Sequence, residues 1–210
     1  MSETESRATW EARYGAAPVW SGKVNDSVRI WAKEHRPRRG DTALDLACGE
    51  GGDALWLAQD GWLVTGVDFA ASAIARATEA AAERGLSVNW ITADLATWSP
   101  DATYRLVSLS FFHESLEVRR AVWDVAASAV AEGGTLLISA HAPDDDPTAP
   151  GPPAHMRFEL DDLVESIGEG WTLNSREVRR NATGYHAWQT PTDMVAEFSR
   201  KAATDAADAR

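Results

Sequence analysis

The stretch TALDLACGEGGDALWLAQDGWLVTGVD, Thr42 to Asp68, decides how the rest of the chain is read. Thr42 to Ala47 is a short apolar run punctuated by one carboxylate, Asp45, the pattern of a strand. It breaks at Gly49-Glu50-Gly51-Gly52, where backbone passes without Cβ atoms in the way. Helical spacing then holds from Asp53 to Gln59, with Leu55, Trp56 and Ala58 available to pack. Gly61 ends that helix, and Trp62 to Val67 forms a second strand closed by Asp68. Strand, glycine turn, helix, strand and acid follow in the order of a parallel α/β sheet. Ligands of such sheets lie outside the carboxyl ends of the strands, and an acid ending the second strand is placed to accept both ribose hydroxyls. The stretch therefore predicts a cofactor that contains a nucleoside.

Charge selects among such cofactors. Gly49-Glu50-Gly51-Gly52-Asp53-Ala54 satisfies the G-x-G-x-x-G/A dinucleotide fingerprint, with Asp68 near the expected offset of about 20 residues, so a nicotinamide or flavin reading stands as a rival. A pyrophosphate at this turn, however, meets Asp45, Glu50 and Asp53 with no Lys or Arg adjacent in the sequence. S-adenosylmethionine carries no phosphate. Its methionyl end offers an ammonium that suits Asp45 and a carboxylate that suits the amides of a helix N-terminus. Leu44-Asp45-Leu46-Ala47-Cys48-Gly49-Glu50-Gly51 resembles the first motif of class I S-adenosylmethionine-dependent methyltransferases, with Ala47 standing where that family usually has its first glycine.

The resemblance is closest in outline to the small-molecule methyltransferases of the thiopurine and tellurite-resistance type. It implies a Rossmann-like three-layer sandwich, with a seven-stranded, mainly parallel sheet, an antiparallel last strand and an N-terminal helical cover. It also places Asp45, Ala47, Gly49, Gly51, Asp68, Phe69, Asp94, Leu95 and Ser110 on the cofactor, with Trp10, Tyr14 and Trp20 over it. Two helices are expected before the first strand, around Arg7–Tyr14 and Asp26–His35, joined by a Gly/Pro segment that contains Trp20-Ser21-Gly22. Aromatic faces there can surround a sulfonium and exclude water, or form a plain hydrophobic seam. Arg105 stands where the family commonly has an acid, so the job of that carboxylate is lost or reversed.

Beyond Asp68 the pattern predicts an alanine-rich helix to about Arg84, strands over Ser87–Thr92 and Tyr104–Phe111, and a helix over Val118–Ala131 closed by Gly133-Gly134. A fifth strand follows over Thr135–Ala140, then a short helix from Glu159 to Ser166 and a final hairpin of Trp171–Val178 and Asp193–Ser199. His113 and His141, each just past a strand, are the candidate catalytic residues, because a neutral imidazole can orient an acceptor or take its proton. The acidic, proline-rich run APDDDPTAPGPPA, residues 142–154, reads as a mobile excursion on the active edge, either a plain flexible acidic loop or a lid. With His141 and His155, its Asp144, Asp145 and Asp146 have donor chemistry for a metal but no fixed spacing, and no metal site is expected. The connection from Arg179 to Thr192 carries Asn181, Tyr185, His186 and Trp188 toward the substrate side.

At 210 residues the chain reads as one domain: a helical cover over 1–40, an α/β core over 41–200 and a frayed tail over 201–210. With a net charge of −12, it lacks the clustered cations that nucleic acid or an anionic membrane requires, so a small-molecule substrate is expected and neither of those partners is. The acidic N-terminus has no charged-then-apolar leader pattern, and a cytoplasmic protein is the expectation. Cys48 is the lone cysteine and excludes an internal disulfide. In-line methyl transfer needs positioning and desolvation more than strong acid-base help, which fits a chain with no sharp catalytic dyad. Two alternatives remain at this level: an NAD(P)-dependent oxidoreductase, and a noncatalytic protein that binds S-adenosylmethionine.

Overall fold

The computed structural model describes residues 3–142, 159–180 and 192–202. The acidic run with Asp144, Asp145, Asp146 and His155, the connection carrying Asn181, Tyr185, His186 and Trp188, and the end of the tail lie outside the described residues. Helices α1 (Glu3–Ala16) and α2 (Asp26–Glu34) precede β1 (Thr42–Leu46), α3 (Gly52–Gln59), β2 (Leu63–Asp68), α4 (Ala71–Glu83) and β3 (Val88–Thr92). Then come β4 (Tyr104–Ser110), α5 (Leu116–Ala129), β5 (Val130–His141), α6 (Leu160–Ile167), β6 (Trp171–Arg180) and β7 (Thr192–Arg200). The strands form one sheet in the order β3-β2-β1-β4-β5-β7-β6. Its first five strands are parallel, and β7 runs antiparallel between β5 and β6. This is the seven-stranded, mainly parallel Rossmann-like sheet that the resemblance implied. The order reverses between β1 and β4, and the crevice at their carboxyl ends is where such sheets take ligands.

Alternation along the strands splits the core in two. Leu44, Leu46, Val107, Leu109, Leu136 and Ile138 pack with Val122, Trp123 and Ala126 of α5 and Leu163 of α6. Ala43, Val64, Leu106 and Leu137 face the other way, onto Val28 and Trp31 of α2, Ala54 and Leu57 of α3, and Trp62. Asp45 lies between Leu44 and Leu46 and therefore points to the α2–α3 side, beneath the crevice. A third, smaller cluster joins Tyr14 to Ala70 and Ala73, with Trp10, Val19, Trp20 and Phe69 against it, and fixes α1 to α4. Trp31, Trp62 and Trp123 are buried, as their positions on helices and strands predicted.

Two local expectations change. The helix predicted to reach Ala131 ends at Ala129, because buried Val130 already pairs with Tyr104 of β4. Gly133 and Gly134 then form an irregularity inside a longer β5 rather than a helix stop. At Gly134 a Cβ would sit 2.8 Å from the Ala131 carbonyl oxygen, so only glycine lets the strand re-enter register. Arg105 does reverse the expected charge: its guanidinium pairs with Asp41 and lies over the Trp62 ring. Among the described residues no helix is long and apolar enough to cross a membrane.

Candidate functional site

The end of β1 is built around buried carboxylates. Asp45, 2% exposed, receives Ser108 Oγ at 3.0 Å on one oxygen, while its Oδ2 has no hydrogen-bond partner among the described residues. Asp68, at the end of β2, accepts the Gly49 amide on Oδ2 at 2.8 Å and the Ala70 amide on Oδ1 at 2.9 Å. Those two amides fix the carboxylate plane and leave each oxygen a further lone pair. The chain passes between the two acids through Ala47, whose φ of 52° is left-handed. That region costs a non-glycine residue about 1–2 kcal/mol, so the departure from the family's glycine carries real strain.

The two motif glycines serve different neighbours. A Cβ on Gly49 would stand 3.1 Å from Tyr14 Oη and 3.2 Å from Trp20 Nε1, so the chain's own cover lies against this part of the turn. A Cβ on Gly51 would meet the Trp90 ring at 2.6 Å. Gly51, expected on the cofactor, thus faces the packed layer under β2 and β3, and the cavity wall contains Glu50, Gly52 and Asp53 instead.

Glu50 and Asp53 hold the cover down. Glu50 Oε2 accepts the amides of Val19 at 3.1 Å and Trp20 at 3.0 Å, and Arg76 Nη1 reaches its Oε1 at 2.9 Å and the Ala17 carbonyl at 2.8 Å. Asp53 accepts the Asn25 amide at 2.6 Å, Asn25 Nδ2 at 2.8 Å and Ser110 Oγ at 3.1 Å. Arg76 is distant along the chain, which is why the sequence shows no cation beside these acids. Their charge is engaged by the loop and by Arg76, which leaves the strand-end acids Asp45 and Asp68, with Asp94 beyond β3, for a ligand. Burial pushes the carboxyls of Asp45, Asp53 and Asp68 above the usual carboxylate range, with Asp53 and Asp68 adding to the effect at Asp45. Burial, reinforced by Asp68, likewise drives the Tyr14 phenol upward, so it stays protonated.

Trp10, Tyr14 and Trp20 form one aromatic group. The Trp10 ring centroid lies 5.9 Å from both of the others, and Trp20 Nε1 donates to Tyr14 Oη at 2.9 Å. Between this group and the sheet edge is a cavity of about 460 Å³, within the range that holds small organic ligands. Its wall includes Asp45, Ala47, Gly49, Asp68, Phe69, Asp94, Leu95 and Ser110, the residues expected on the cofactor apart from Gly51. Asp94 also caps its own loop, accepting the Ala96 amide at 3.0 Å. Residues Ser21 to Ser27 line the cavity as well; beyond the Trp20-Ser21-Gly22 segment they carry no motif of their own and were not legible in the sequence.

At the far end stand Phe111, Phe112, His113, Glu114, Asp193 and Val195. His113 is half-buried and reaches the cavity. His141 does not: it is 1% exposed and forms no part of the wall. The two imidazoles stack with centroids 4.8 Å apart and planes 7° from parallel, Phe111 lies 4.9 Å from the His141 ring, and His141 Nδ1 is 2.8 Å from Asp193 Oδ1. Asp193 has no signal in the sequence because its partner is a cross-strand neighbour in the β5–β7 register. Among the described residues no group of three or more His, Cys, Asp or Glu is arranged to hold a metal ion.

Comparison with known proteins bears on this geometry. Residues 43–134 match the family model described as "Methyltransferase domain". The chain is 30% identical over 183 residues to the 2-heptyl-1-hydroxyquinolin-4(1H)-one methyltransferase of Mycobacteroides abscessus, an alignment covering 83% of this chain and 77% of that protein. It is 34% identical over 94 residues to ribosomal RNA small subunit methyltransferase C of Alcanivorax borkumensis, covering 45% of this chain and spanning only 28% of that protein's length. The solved structure described as "Conversion of a Disulfide Bond into a Thioacetal Group during Echinomycin Biosynthesis" superposes with a TM-score of 0.72 at 23% identity, covering 96% of this chain and 95% of that one, a likeness of fold.

Proposed function

Because this chain belongs to the S-adenosylmethionine-dependent methyltransferases, we propose that the cavity under the aromatic cover holds that cofactor beside a small, flat methyl acceptor. The donor set fits the group. Asp45 Oδ2, buried and without a hydrogen-bond partner among the described residues, is an acceptor in want of a donor, and the methionyl ammonium supplies one. Asp68, already fixed by two amides, has the spare lone pairs for the ribose hydroxyls, and Asp94 with Leu95 and Phe69 provides an acid and two apolar faces for the adenine. Trp10, Tyr14 and Trp20 close over the sulfonium side, where aromatic faces favour a cation and exclude water. When bound, the cofactor supplies an electrophilic methyl group on a sulfonium.

The rest falls to this chain's own residues. Phe111 and Phe112 offer flat apolar faces to an aromatic acceptor, and His113 takes the proton that the acceptor's nucleophilic atom gives up. Glu114 and Asp193 at the acceptor end disfavour an anion, so the acceptor enters with its proton in place and His113 has work to do. The relative from Mycobacteroides abscessus is named for a hydroxylated quinolinone, and a hydroxylated heteroaromatic ring is the acceptor we assign here. The cover over residues 1–40 and the core over 41–200 act together as one cytoplasmic enzyme, with neither a nucleic acid nor a membrane as partner.

The observation that carries this reading is the half-buried His113 facing the same cavity as the two buried acids, with aromatic walls between. The test is transfer of a labelled methyl group to a panel of hydroxylated heteroaromatics, thiols, amines and ribosomal RNA. Labelled hydroxylated rings are expected. Label confined to thiols, amines or RNA overturns the acceptor assignment.

A further inference from the structure

Three features of the acceptor end converge on the residues that lie behind His113. Asp193 and His141 are direct cross-strand partners in the antiparallel β5–β7 pair, at the carboxyl end of β5. An ionised carboxylate only accepts, so at 2.8 Å the proton between them belongs to His141 Nδ1; the bond sets both tautomer and ring plane. His141 is sealed from solvent, and His113 lies flat on it, 4.8 Å between centroids and 7° from parallel. The third feature is strain. Phe111 has a left-handed φ of 55°, one of only two non-glycine residues with positive φ among those described, and its amide is tied to the Ser139 carbonyl at 2.7 Å. A bulky residue keeps such a conformation only where the surroundings over-determine it. Here the bend turns the chain leaving β4 so that His113 lands on the face of His141.

We propose that Asp193 and His141 are a positioning pair: Asp193 locks the His141 ring, and His141 serves as the platform that holds His113 at the angle needed to receive the acceptor's proton. This deepens the assignment of His113 and rests on it. The transfer balances without any further group. The acceptor oxygen uses a lone pair to form the new O–C bond, the C–S bond breaks with its electrons returning to sulfur, and the acceptor's proton goes to the His113 ring. Asp193 and His141 neither gain nor lose a proton in that step. Their contribution is geometric, and near-attack geometry is steep: a misplacement of about 1 Å costs about 100-fold in rate.

The experiment compares Asp193→Ala, Asp193→Asn and His141→Gln with the wild type in three readouts. With a hydroxylated quinolinone as acceptor, Asp193→Ala is expected to lower kcat by about 10- to 100-fold while the KM values for acceptor and S-adenosylmethionine stay within about 3-fold. Asp193→Asn, whose amide oxygen still accepts from Nδ1, restores kcat to within about 3-fold of wild type. His141→Gln keeps a donor for Asp193 but removes the ring platform, and is as slow as Asp193→Ala. The third readout is independent of turnover: in nitrogen-detected imidazole spectra of the cofactor-free protein, the His113 resonances move in Asp193→Ala and not in Asp193→Asn, the change passing through the His141 ring. Unchanged His113 resonances in Asp193→Ala overturn the proposal. So does a kcat within 2-fold of wild type, or a fall in kcat that tracks loss of cofactor affinity. Moved resonances in a protein that labels no acceptor leave the positioning pair standing and remove the assignment of His113 as the base.

Discussion

Ala47 carries the strain of the cofactor turn at a single residue. Its φ of 52° suits glycine, which the family usually has there, and a β-branched side chain fits that region worst. Ala47→Gly is therefore expected to leave Tm within about 2 °C of wild type, relief of strain offsetting lost chain stiffness and a half-buried methyl. Ala47→Val is expected to cost about 2 kcal/mol or more, a fall in Tm of about 4–8 °C for a chain of this size. Equal losses in both variants, measured by thermal unfolding, contradict the strain. Asp45 and Asp68 are legible in the amino-acid sequence because they stand at the ends of consecutive strands, and strand ends follow from local apolar runs. Gly51 shows the limit of the same signal: a glycine motif tells where backbone approaches something closely, and the partner here is the Trp90 ring. His141 is equally visible as a residue at a strand end, yet burial depth has no local signature, and only the packing of Phe111 and His113 reveals that it is enclosed. For His113 itself, replacement by alanine is expected to lower kcat by about 10²–10⁴-fold with little change in cofactor affinity, the range typical of a lost general base. Steady-state kinetics beside calorimetry reads both quantities, and an unaltered kcat returns His113 to a structural role.

At the scale of elements, the cover is where the sequence was least informative. Helix α2 begins where predicted, but nothing local announces that the loop before it is fastened by two carboxylates from the far side of the glycine turn. Glu50 takes the amides of Val19 and Trp20, and Asp53 takes both nitrogens of Asn25. These bonds tie the aromatic cover to the same turn that ends β1, so lifting the cover strips two amide donors from Glu50 and both Asn25 nitrogens from Asp53, leaving them only Arg76 and Ser110. Glu50→Ala is expected to raise amide exchange at Val19 and Trp20 by about 10-fold or more, while β1 and β4 keep their protection. Exchange unchanged at those two amides contradicts the latch. Strand β5 teaches a related lesson. Gly133-Gly134 looks like a helix stop in sequence, whereas the pairing of Val130 with Tyr104 already draws the chain into the sheet ahead of both glycines. Long-range pairing overrides punctuation there, because an unpaired strand edge costs more than a shortened helix.

For the molecule as a whole, the order β3-β2-β1-β4-β5-β7-β6 brings four buried acids to one crevice, and the three whose carboxyls burial raises make stability depend on pH in a definite direction. Burial raises Asp45, Asp53 and Asp68 above the unfolded value. Between the ordinary carboxylate range and those raised values the folded chain holds protons that the unfolded chain has released. The contribution of these groups to the cofactor-free protein is therefore fully present at low pH and is lost as pH rises through the raised values. A cationic ligand favours the ionised acids, so the increase in Tm given by saturating S-adenosylmethionine is expected to be greater at about pH 8 than at about pH 5. A larger increase at the acid end contradicts the account. The parallel sheet and the position of the crevice followed from strand periodicity and one motif, and the antiparallel last strand from the family resemblance; at the acceptor end only His113, just past a strand, was legible, since Asp193 and Val195 come from β7, far along the chain. The most direct test of the site is a calorimetric titration of S-adenosylmethionine into wild-type protein and Asp68→Ala, with circular dichroism confirming the fold. The account predicts a loss of affinity of about 10- to 100-fold on removing the charged acceptor at the end of β2; equal affinity in the two proteins contradicts it.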